Sequence, residues 1–239
     1  MRPRVIVTRA EPGAGLTAGE LAKRGVDPVL APLFRIEETG AVAPDPAAFQ
    51  ALMFTSANAV RSFSGSPAWL AKNAFCVGAA TAAAAQSAGF VRCPHSNGDS
   101  HALLALVRAQ LLPADGRLLQ VRGVDVAGDL FVQLGTLGFS TDLLITYRSV
   151  AARTLPAAAV AALQDGAPCP LAVLFHSPRG AELGSSLLRA DAGRLHAAFI
   201  SETAARAGAS APWASVGIAE HPSDKALIAK ALTQIAACT

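Results

Sequence analysis

Charged and aromatic side chains are scarce in this chain. Of its 239 residues, 15% are charged and 5% are aromatic, and the formal net charge at pH 7 is only +3. A nucleic-acid-binding domain normally carries a strongly basic surface, so this small excess indicates no nucleic-acid partner. It is still compatible with an acidic small-molecule ligand. The apolar fraction of 52% favours a well-buried globular protein over a disordered one.

Cysteine is also rare, and its positions form no pattern. They are Cys76, Cys93, Cys169 and Cys238. They make no CxxC pair, and no histidine stands at metal-ligand spacing from them, so we expect no metal site. Reduced thiols in a cytoplasmic protein are the simpler interpretation. The N-terminus has no signal-peptide pattern, and no uncharged apolar run reaches the ~18 residues of a membrane span, so we expect no membrane partner.

The common cofactor and hydrolase motifs are missing too. The GAG at 13–15 lacks the remaining glycine spacing of a dinucleotide fingerprint, and no Walker lysine follows a glycine-rich loop. No GxSxG elbow indicates a hydrolase triad, and no HExxH motif indicates a zinc site. The sequence therefore predicts a protein that works without a cofactor.

What the chain does contain is an internal repeat. Five residues recur 113 positions later: Arg9, Leu21, Gly25, Leu30 and Arg35 as Arg122, Leu134, Gly138, Leu143 and Arg148. MFTSANAV (53–60) then recurs as LFHSPRGA (174–181), and GAATAAAA (78–85) recurs as ISETAARA (200–207). Three blocks in the same order indicate two similar units, and ligands often bind in clefts between units.

Short β-rich runs alternate with helical ones in both copies. We predict strands at 5–7, 28–36, 51–54, 74–77, 118–121, 143–150, 171–175 and 197–200. We predict helices over 16–24, from Ser56 onward and over 81–88. This alternation is typical of doubly wound α/β proteins with parallel sheets, here two of them. The residues alone allow two divisions of the chain into domains. The domains are either consecutive, with a boundary near 113–116, or interleaved, with the segments 29–38 and 143–152 running side by side.

Polar residues follow several predicted strands. Ser56 and Ser177 each stand between a strand and a helix, where serine is a favoured N-cap, and Pro178 suits the first helical position. Thr81 and Thr203 begin the next helices. Ligands of open α/β sheets bind at the carboxyl edge, which we define as the edge formed by the carboxyl ends of the parallel strands. These hydroxyls are therefore either helix caps alone or also ligand contacts, and we interpret His176 beside them as part of the wall.

Tyr147 is the only tyrosine in the chain, and it lies next to Arg148. Its counterpart in the first copy is Phe34, next to Arg35. A hydroxyl present in only one copy is a candidate proton donor, whereas the simpler interpretation makes both rings packing aromatics.

The chain resembles the uroporphyrinogen-III synthase family through short blocks that follow one another in the family's order. They are VTRAEPGAG, LAKRGVDPVLAPL, FTSANAVRSF, VGAATAAAAQSAGF, VRGVDVAGDL, YRSV, FHSPRGAE, ISETAARA and AEHPSDKALIAKAL. The resemblance implies two flavodoxin-like, doubly wound lobes joined by a two-stranded β-ladder, with the active-site cleft between them. Residues 1–36 and 150–239 would form lobe 1 and residues 38–147 lobe 2, with crossings near 33–38 and 147–152.

The resemblance also implies an activity. Members of the family close the linear 1-hydroxymethylbilane to uroporphyrinogen III, with loss of water and inversion of the last pyrrole ring, and without cofactor or metal. It implies a cytoplasmic monomer that could receive its substrate from the preceding pathway enzyme. Tyr147 matches the family's candidate general acid. The expected substrate-binding residues are Arg9, Ser56, Ala57, Asn58, Thr81, Arg122, Ser177, Arg179 and Thr203.

Two other functions fit the residues. A two-lobed sensor that holds an acidic metabolite without reacting it would need the same cleft and no cofactor. A flavodoxin-type electron carrier would need aromatic side chains beside the flavin, and this chain has one Tyr and two Trp.

Overall fold

The computed structural model describes residues 2–96, 100–125, 130–165 and 171–237. The strands in these residues are β1 (Arg4–Val7), β2 (Asp27–Leu30), β3 (Phe34–Glu38), β4 (Phe49–Phe54), β5 (Asn73–Val77), β6 (His95–Ser96), β7 (Arg117–Gly123), β8 (Thr141–Ala151), β9 (Leu171–Phe175), β10 (Leu195–Phe199) and β11 (Ser215–Ile218). The α-helices are α1 (Gly13–Ala22), α2 (Ala57–Arg61), α3 (Ala79–Ser87), α4 (Ser100–Gln110), α5 (Leu130–Thr136), α6 (Ala157–Gln164), α7 (Pro178–Leu187), α8 (Glu202–Ala207) and α9 (Asp224–Ala236). Short 3-10 helices cover Pro46–Ala48, Pro67–Ala71, Pro113–Asp115 and Ala192–Arg194.

The chain forms two compact units. Unit 1 consists of Met1–Arg35 and Val150–Thr239, and unit 2 consists of Ile36–Ser149. The chain therefore passes from one unit to the other twice, once within β3 and once within β8.

Unit 1 is built on a five-stranded sheet in the order β11-β10-β9-β1-β2, which we call sheet 1. Every pairing in it is parallel. Numbered within the unit, this is the 2-1-3-4-5 order of flavodoxin-like proteins. The prediction of a doubly wound parallel α/β fold is confirmed.

Unit 2 is built on sheet 2, whose order is β3-β8-β7-β4-β5-β6. The strands from β8 to β6 are parallel. β3 runs the other way along β8, because Leu33 accepts from the Ala152 amide at 2.8 Å while the Thr39 amide donates to Thr146 at 2.9 Å.

Each sheet contains strands from both copies of the internal repeat. Sheet 1 combines β1 and β2 of the first copy with β9, β10 and β11 of the second, and sheet 2 combines β7 and β8 with β4, β5 and β6. The strands of sheet 1 from β2 to β11 and those of sheet 2 from β8 to β6 therefore follow the same spatial order. Where one sheet takes a strand from the first copy of the repeat, the other takes its equivalent from the second copy. In each sheet the switch point, where successive connections turn in opposite directions, lies between two strands: β1 and β9, or β7 and β4.

Alternate residues of the central strands pack on opposite faces of each sheet. In sheet 1, Val173 and Phe175 belong to one core cluster, while Ala172 and Leu174 belong to the other. Burial on both faces explains why these strands read as continuous apolar runs.

Several predicted element bounds were wrong, two of them with a clear reason or a clear shift. The strand predicted over 28–36 is interrupted between Leu30 and Phe34. Pro32 stands in the gap, and proline has no N–H to donate to a ladder. The first helix begins at Gly13 rather than at Leu16, and Gly25 lies beyond its end with a φ of +73°.

Candidate active site

The lone tyrosine of the chain lies at the carboxyl edge of sheet 2. Tyr147 is the last β8 residue paired in parallel with β7, opposite Gly123. Its hydroxyl oxygen lies 2.9 Å from Ser56 Oγ, and the residue is 7% exposed. Ser56 directly precedes α2 and accepts the Ala59 amide at 3.1 Å. The predicted cap at Ser56 is confirmed, and the same side chain contacts the candidate general acid.

The Tyr147 ring occupies space that only a glycine leaves open. A Cβ placed on Gly123 would lie 2.6 Å from Cζ and 2.7 Å from Cε2 of the ring. Real Cβ atoms almost never come this close to another heavy atom, so the ring packs directly against Gly123 in the space that a side chain there would fill. A side chain at position 123 would therefore displace the phenol.

A second hydroxyl pair ties β8 to α2. Ser62, just after α2, lies 2.7 Å from Thr146 Oγ1. Ser62 Oγ is the donor to Thr146 Oγ1, and it also lies 2.8 Å from the carbonyl oxygen of Asn58. Thr146 is 1% exposed. The segment that carries Tyr147 is thus hydrogen-bonded to both ends of α2.

The other site residues predicted in unit 2 lie on neighbouring elements. Ala57 and Asn58 are the first two residues of α2, and Asn58 Oδ1 accepts from Arg61 at 3.1 Å. Arg122 is a half-buried residue near the end of β7. Thr81 is the third residue of α3, so the prediction that it begins the helix was wrong, and it is 5% exposed.

At the carboxyl edge of sheet 1, Ser177 occupies the position equivalent to Ser56. It caps α7 by accepting the Gly180 amide at 3.1 Å, and Pro178 is the first helical residue, as predicted. Here the nearby aromatic is Phe34, which has no hydroxyl, and the Arg179 guanidinium lies over its ring at 5.2 Å. The two units therefore share the cap but differ in the aromatic chemistry beside it.

Thr203 is the second residue of α8 and is exposed, so it lies inside the helix rather than at its start. The cap is Ser201, which accepts the Ala204 amide at 3.3 Å. The sequence reasoning missed Ser201, although a serine before Glu202 is a common helix-start signal.

Unit 1 also contains a polar cluster that the sequence did not predict. Asp224, the first residue of α9, accepts from Thr17 Oγ1 at 3.0 Å and lies 2.7 Å from His176 Nε2. The Arg9 guanidinium lies 3.6 Å from the same carboxylate. Arg9 follows β1 and His176 follows β9, so the cluster flanks the switch point of sheet 1.

The environment of this cluster alters two pKa values. Burial lowers the pKa of His176 below 6.5, although the hydrogen bond to Asp224 acts in the opposite direction. Burial alone would raise the pKa of Asp224, but hydrogen bonds from His176 and Thr17 and the charge of Arg9 bring it below 3.8. At neutral pH the pair is therefore a neutral imidazole donating through Nε2 to a carboxylate. His176 Nδ1 is then a buried acceptor without a hydrogen-bond partner in the described residues.

The described cysteines are unsuited to nucleophilic catalysis. Burial raises the pKa of the Cys76 thiol to about 12, and it also raises the pKa of Cys93. Both are free thiols, and Cys169 and Cys238 lie outside the residues with described side chains. Across the described ranges, no group of three His, Cys, Asp or Glu side chains could hold a metal ion.

Taken by class, this is an α/β protein with two doubly wound parallel sheets, whose carboxyl edges carry hydroxyls, guanidinium groups and one phenol. Such groups suit an anionic ligand and acid catalysis. Among the described helices, none is long and apolar enough to cross a membrane.

Comparison with known proteins supplies the family. The family model for uroporphyrinogen-III synthase HemD matches residues 16–229, so the chain belongs to the uroporphyrinogen-III synthase family. These enzymes are cyclising hydro-lyases of tetrapyrrole biosynthesis. A search of curated proteins gave no match.

Solved structures of the family share the fold. The chain is similar to uroporphyrinogen-III synthetase from Helicobacter pylori, with a TM-score of 0.65 and 20% identity over 98% of this chain and 100% of that one. It is also similar to a mutant uroporphyrinogen III synthase from the extremely thermophilic bacterium Thermus thermophilus, with a TM-score of 0.52 and 20% identity over 97% and 99% of the two chains.

Proposed function

We propose that this chain converts 1-hydroxymethylbilane, a linear tetrapyrrole with eight carboxylate side chains, into uroporphyrinogen III. The observation that carries this proposal is the family match over residues 16–229. The candidate proton donor and hydroxyls at the carboxyl edges of the two sheets support it.

The chemistry requires a weak acid and tight control of orientation. Without an enzyme, the bilane closes without inversion to isomer I. To make isomer III, the protein must hold the chain so that the substituted carbon of the last ring attacks first, through a spiro intermediate, which is catalysis by orientation. Loss of water with formation of a carbon–carbon bond transfers no net electrons, so the reaction needs no redox cofactor.

Tyr147 is the proposed general acid. Its proton goes to the oxygen of the terminal hydroxymethyl group, the C–O bond breaks, and its electron pair leaves on water. The pyrrole nitrogen lone pair supports the cation that remains. The phenolate regains a proton when the inverted ring loses one from carbon as it becomes aromatic again. The phenol fits this role because it lies at the carboxyl edge of sheet 2, 2.9 Å from Ser56 Oγ, and is 7% exposed.

The remaining site residues are proposed to bind the substrate. Guanidinium groups of Arg9, Arg122 and Arg179 suit carboxylates because they donate two parallel hydrogen bonds. Hydroxyl and amide groups complete the set, from Ser56, Ala57, Asn58, Thr81, Ser177 and Thr203. These residues belong to both of the lobes whose boundaries the sequence predicts.

The cellular setting follows from the same proposal. The protein acts as a cytoplasmic monomer and takes its labile substrate from the preceding pathway enzyme, because the free bilane cyclises spontaneously. Its partner is this small acidic molecule and not a nucleic acid or a membrane.

The direct test is the isomer ratio of the product. Freshly made hydroxymethylbilane is incubated with the purified protein, and the products are oxidised and separated by chromatography. We expect mainly isomer III, and Tyr147→Phe should lower turnover by roughly 10²-fold or more while the fold is kept. If the wild type yields only isomer I, at the rate seen without protein, the protein is not a synthase and the two-lobed sensor of an acidic metabolite becomes the favoured function. Unchanged turnover in Tyr147→Phe removes Tyr147 from the mechanism.

A further inference from the structure

We infer that Ser56 is a positioning residue for Tyr147: its hydroxyl donates to the phenol oxygen and leaves the phenol proton free for the substrate. This inference rests on the proposed function. It gives Ser56 a role that differs from the substrate contact expected from the sequence.

The hydrogen-bond inventory around Ser56 supports this direction. A serine hydroxyl has one proton and two acceptor positions. One acceptor position of Ser56 Oγ takes the Ala59 amide at 3.1 Å. Among the described residues, the Ser56 proton has one acceptor within reach, the Tyr147 oxygen at 2.9 Å. If Tyr147 donated instead, Ser56 Oγ would accept both the phenol proton and the Ala59 amide, and the Ser56 proton would have no partner in the described residues. In the proposed direction it is the phenol proton that has no partner in these same residues until the substrate binds.

The direction of this bond decides what the phenol can do. A phenol that donates to Ser56 has its only proton committed to a neighbour. A phenol that accepts from Ser56 keeps its proton for the hydroxyl group of the substrate. When that proton is transferred, the Ser56 hydroxyl remains as a donor to the phenolate, and hydrogen bonds to charged oxygens are stronger than neutral ones.

The position of Ser56 is fixed by the protein and not by the substrate. Its oxygen is held by the first turn of α2, and α2 is joined to β8 a second time through Ser62 and Thr146 at 2.7 Å. The Tyr147 ring packs against Gly123, where a Cβ would lie 2.6 Å from Cζ of the ring. The phenol oxygen is therefore located before substrate binds, which is the preorganisation that a general acid requires.

The repeat provides a matched control. Ser177 makes the same cap, with its Oγ also 3.1 Å from the amide three residues on, but its counterpart aromatic is Phe34 and carries no hydroxyl. Ser177→Ala and Ser56→Ala should each destabilise the fold to a similar extent, because each loses the same N-cap hydrogen bond. Only Ser56→Ala removes a bond to a phenol.

The experiment uses the full-length protein labelled with tyrosine carrying ¹³C at Cζ. Because Tyr147 is the only tyrosine, the labelled protein gives one Cζ signal. We expect Ser56→Ala and Ser56→Gly to shift this signal, and Ser177→Ala to leave it in place. Ser56→Gly separates the two roles, because an N-cap position tolerates glycine much better than alanine, so the fold is nearly unaffected while the hydroxyl is lost.

Kinetics of isomer III formation supply the second readout. We expect kcat to fall roughly 3- to 10-fold in Ser56→Ala and Ser56→Gly, with recovery towards wild type in Ser56→Thr, which restores the hydroxyl. Ser177→Ala should instead raise KM. A Tyr147 signal that is unmoved in Ser56→Ala, or a kcat loss in Ser56→Ala no greater than in Ser177→Ala, overturns the inference. If the wild type makes no isomer III, the proposed function fails, whereas isomer III with an unmoved signal contradicts the role of Ser56 alone.

Discussion

His176 and Asp224 form a hydrogen bond of 2.7 Å between Nε2 and Oδ1 at the carboxyl edge of sheet 1. The histidine side chain is 8% exposed and the carboxylate 31%. Burial keeps the imidazole neutral at neutral pH, so the contact joins a neutral donor to a charged acceptor rather than two ions. The pair links β9 to the start of α9 and makes the folded state sensitive to acid.

The first prediction concerns stability at mildly acidic pH. The pKa of His176 is lowered in the folded state. Just below about pH 6.5 the unfolded chain therefore binds a proton that the folded chain does not, and the free energy of unfolding falls as the pH falls. The stability that the neutral His176 contributes is fully present above about pH 6.5, and it is lost as the pH drops towards the pKa of His176 in the folded state.

The measurement is the free energy of unfolding by urea between about pH 7.5 and about pH 5. The comparison variant is His176→Gln, whose side-chain amide can still donate to Asp224 but does not titrate. We expect a flatter pH dependence in the variant than in the wild type. Parallel curves would show that other groups dominate acid sensitivity in this range.

The second prediction is that Asp224 stabilises unit 1 through several donors at once. Asp224→Ala removes the acceptor of both Thr17 and His176 and the counter-charge of Arg9. Because the carboxylate is partly exposed, we expect a loss of about 2 kcal/mol in the free energy of unfolding, within the range for hydrogen bonds to charged groups. Thr17→Val removes one of these bonds and should cost about 1 kcal/mol. Similar small losses in both variants would contradict a central role for the carboxylate.

Much of the fold could be predicted from sequence because its signals are local. The apolar strands and the caps at Ser56 and Ser177 each depend on a few adjacent residues. The contacts that organise the two carboxyl edges are not local: Ser56 and Tyr147 are 91 positions apart, and Thr17 and Asp224 are 207 apart. No residue pattern marks Asp224 as a partner of His176. The sequence alone therefore predicts only that this histidine lines the binding site.

The third prediction tests the space over Gly123. Gly123→Ala places a Cβ against the Tyr147 ring, so the phenol must move away from its position beside Ser56. We expect turnover to fall at least as far as in Ser56→Ala, together with a shift of the tyrosine Cζ signal. The control is Gly135→Ala in α5, where a Cβ meets nothing within 4 Å and alanine stabilises a helix by roughly 0.5–1 kcal/mol. Wild-type kinetics in Gly123→Ala would mean that the ring position is not critical.

The last prediction concerns Arg9, whose side chain lies across the start of α1. A Cβ on Gly13 would lie 2.4 Å from Arg9 Nε, so Gly13→Ala must displace the guanidinium, which is a flexible group and can move without unfolding the helix. If Arg9 holds a substrate carboxylate, its displacement weakens binding more than it slows the chemical step. We expect KM to rise roughly 3- to 10-fold with little change in kcat, as for a lost charge-assisted hydrogen bond. Gly19→Ala lies in the same helix, where a Cβ meets nothing within 4 Å, and should leave KM unchanged. An equal KM in the two variants would assign Arg9 to the support of Asp224 rather than to the substrate.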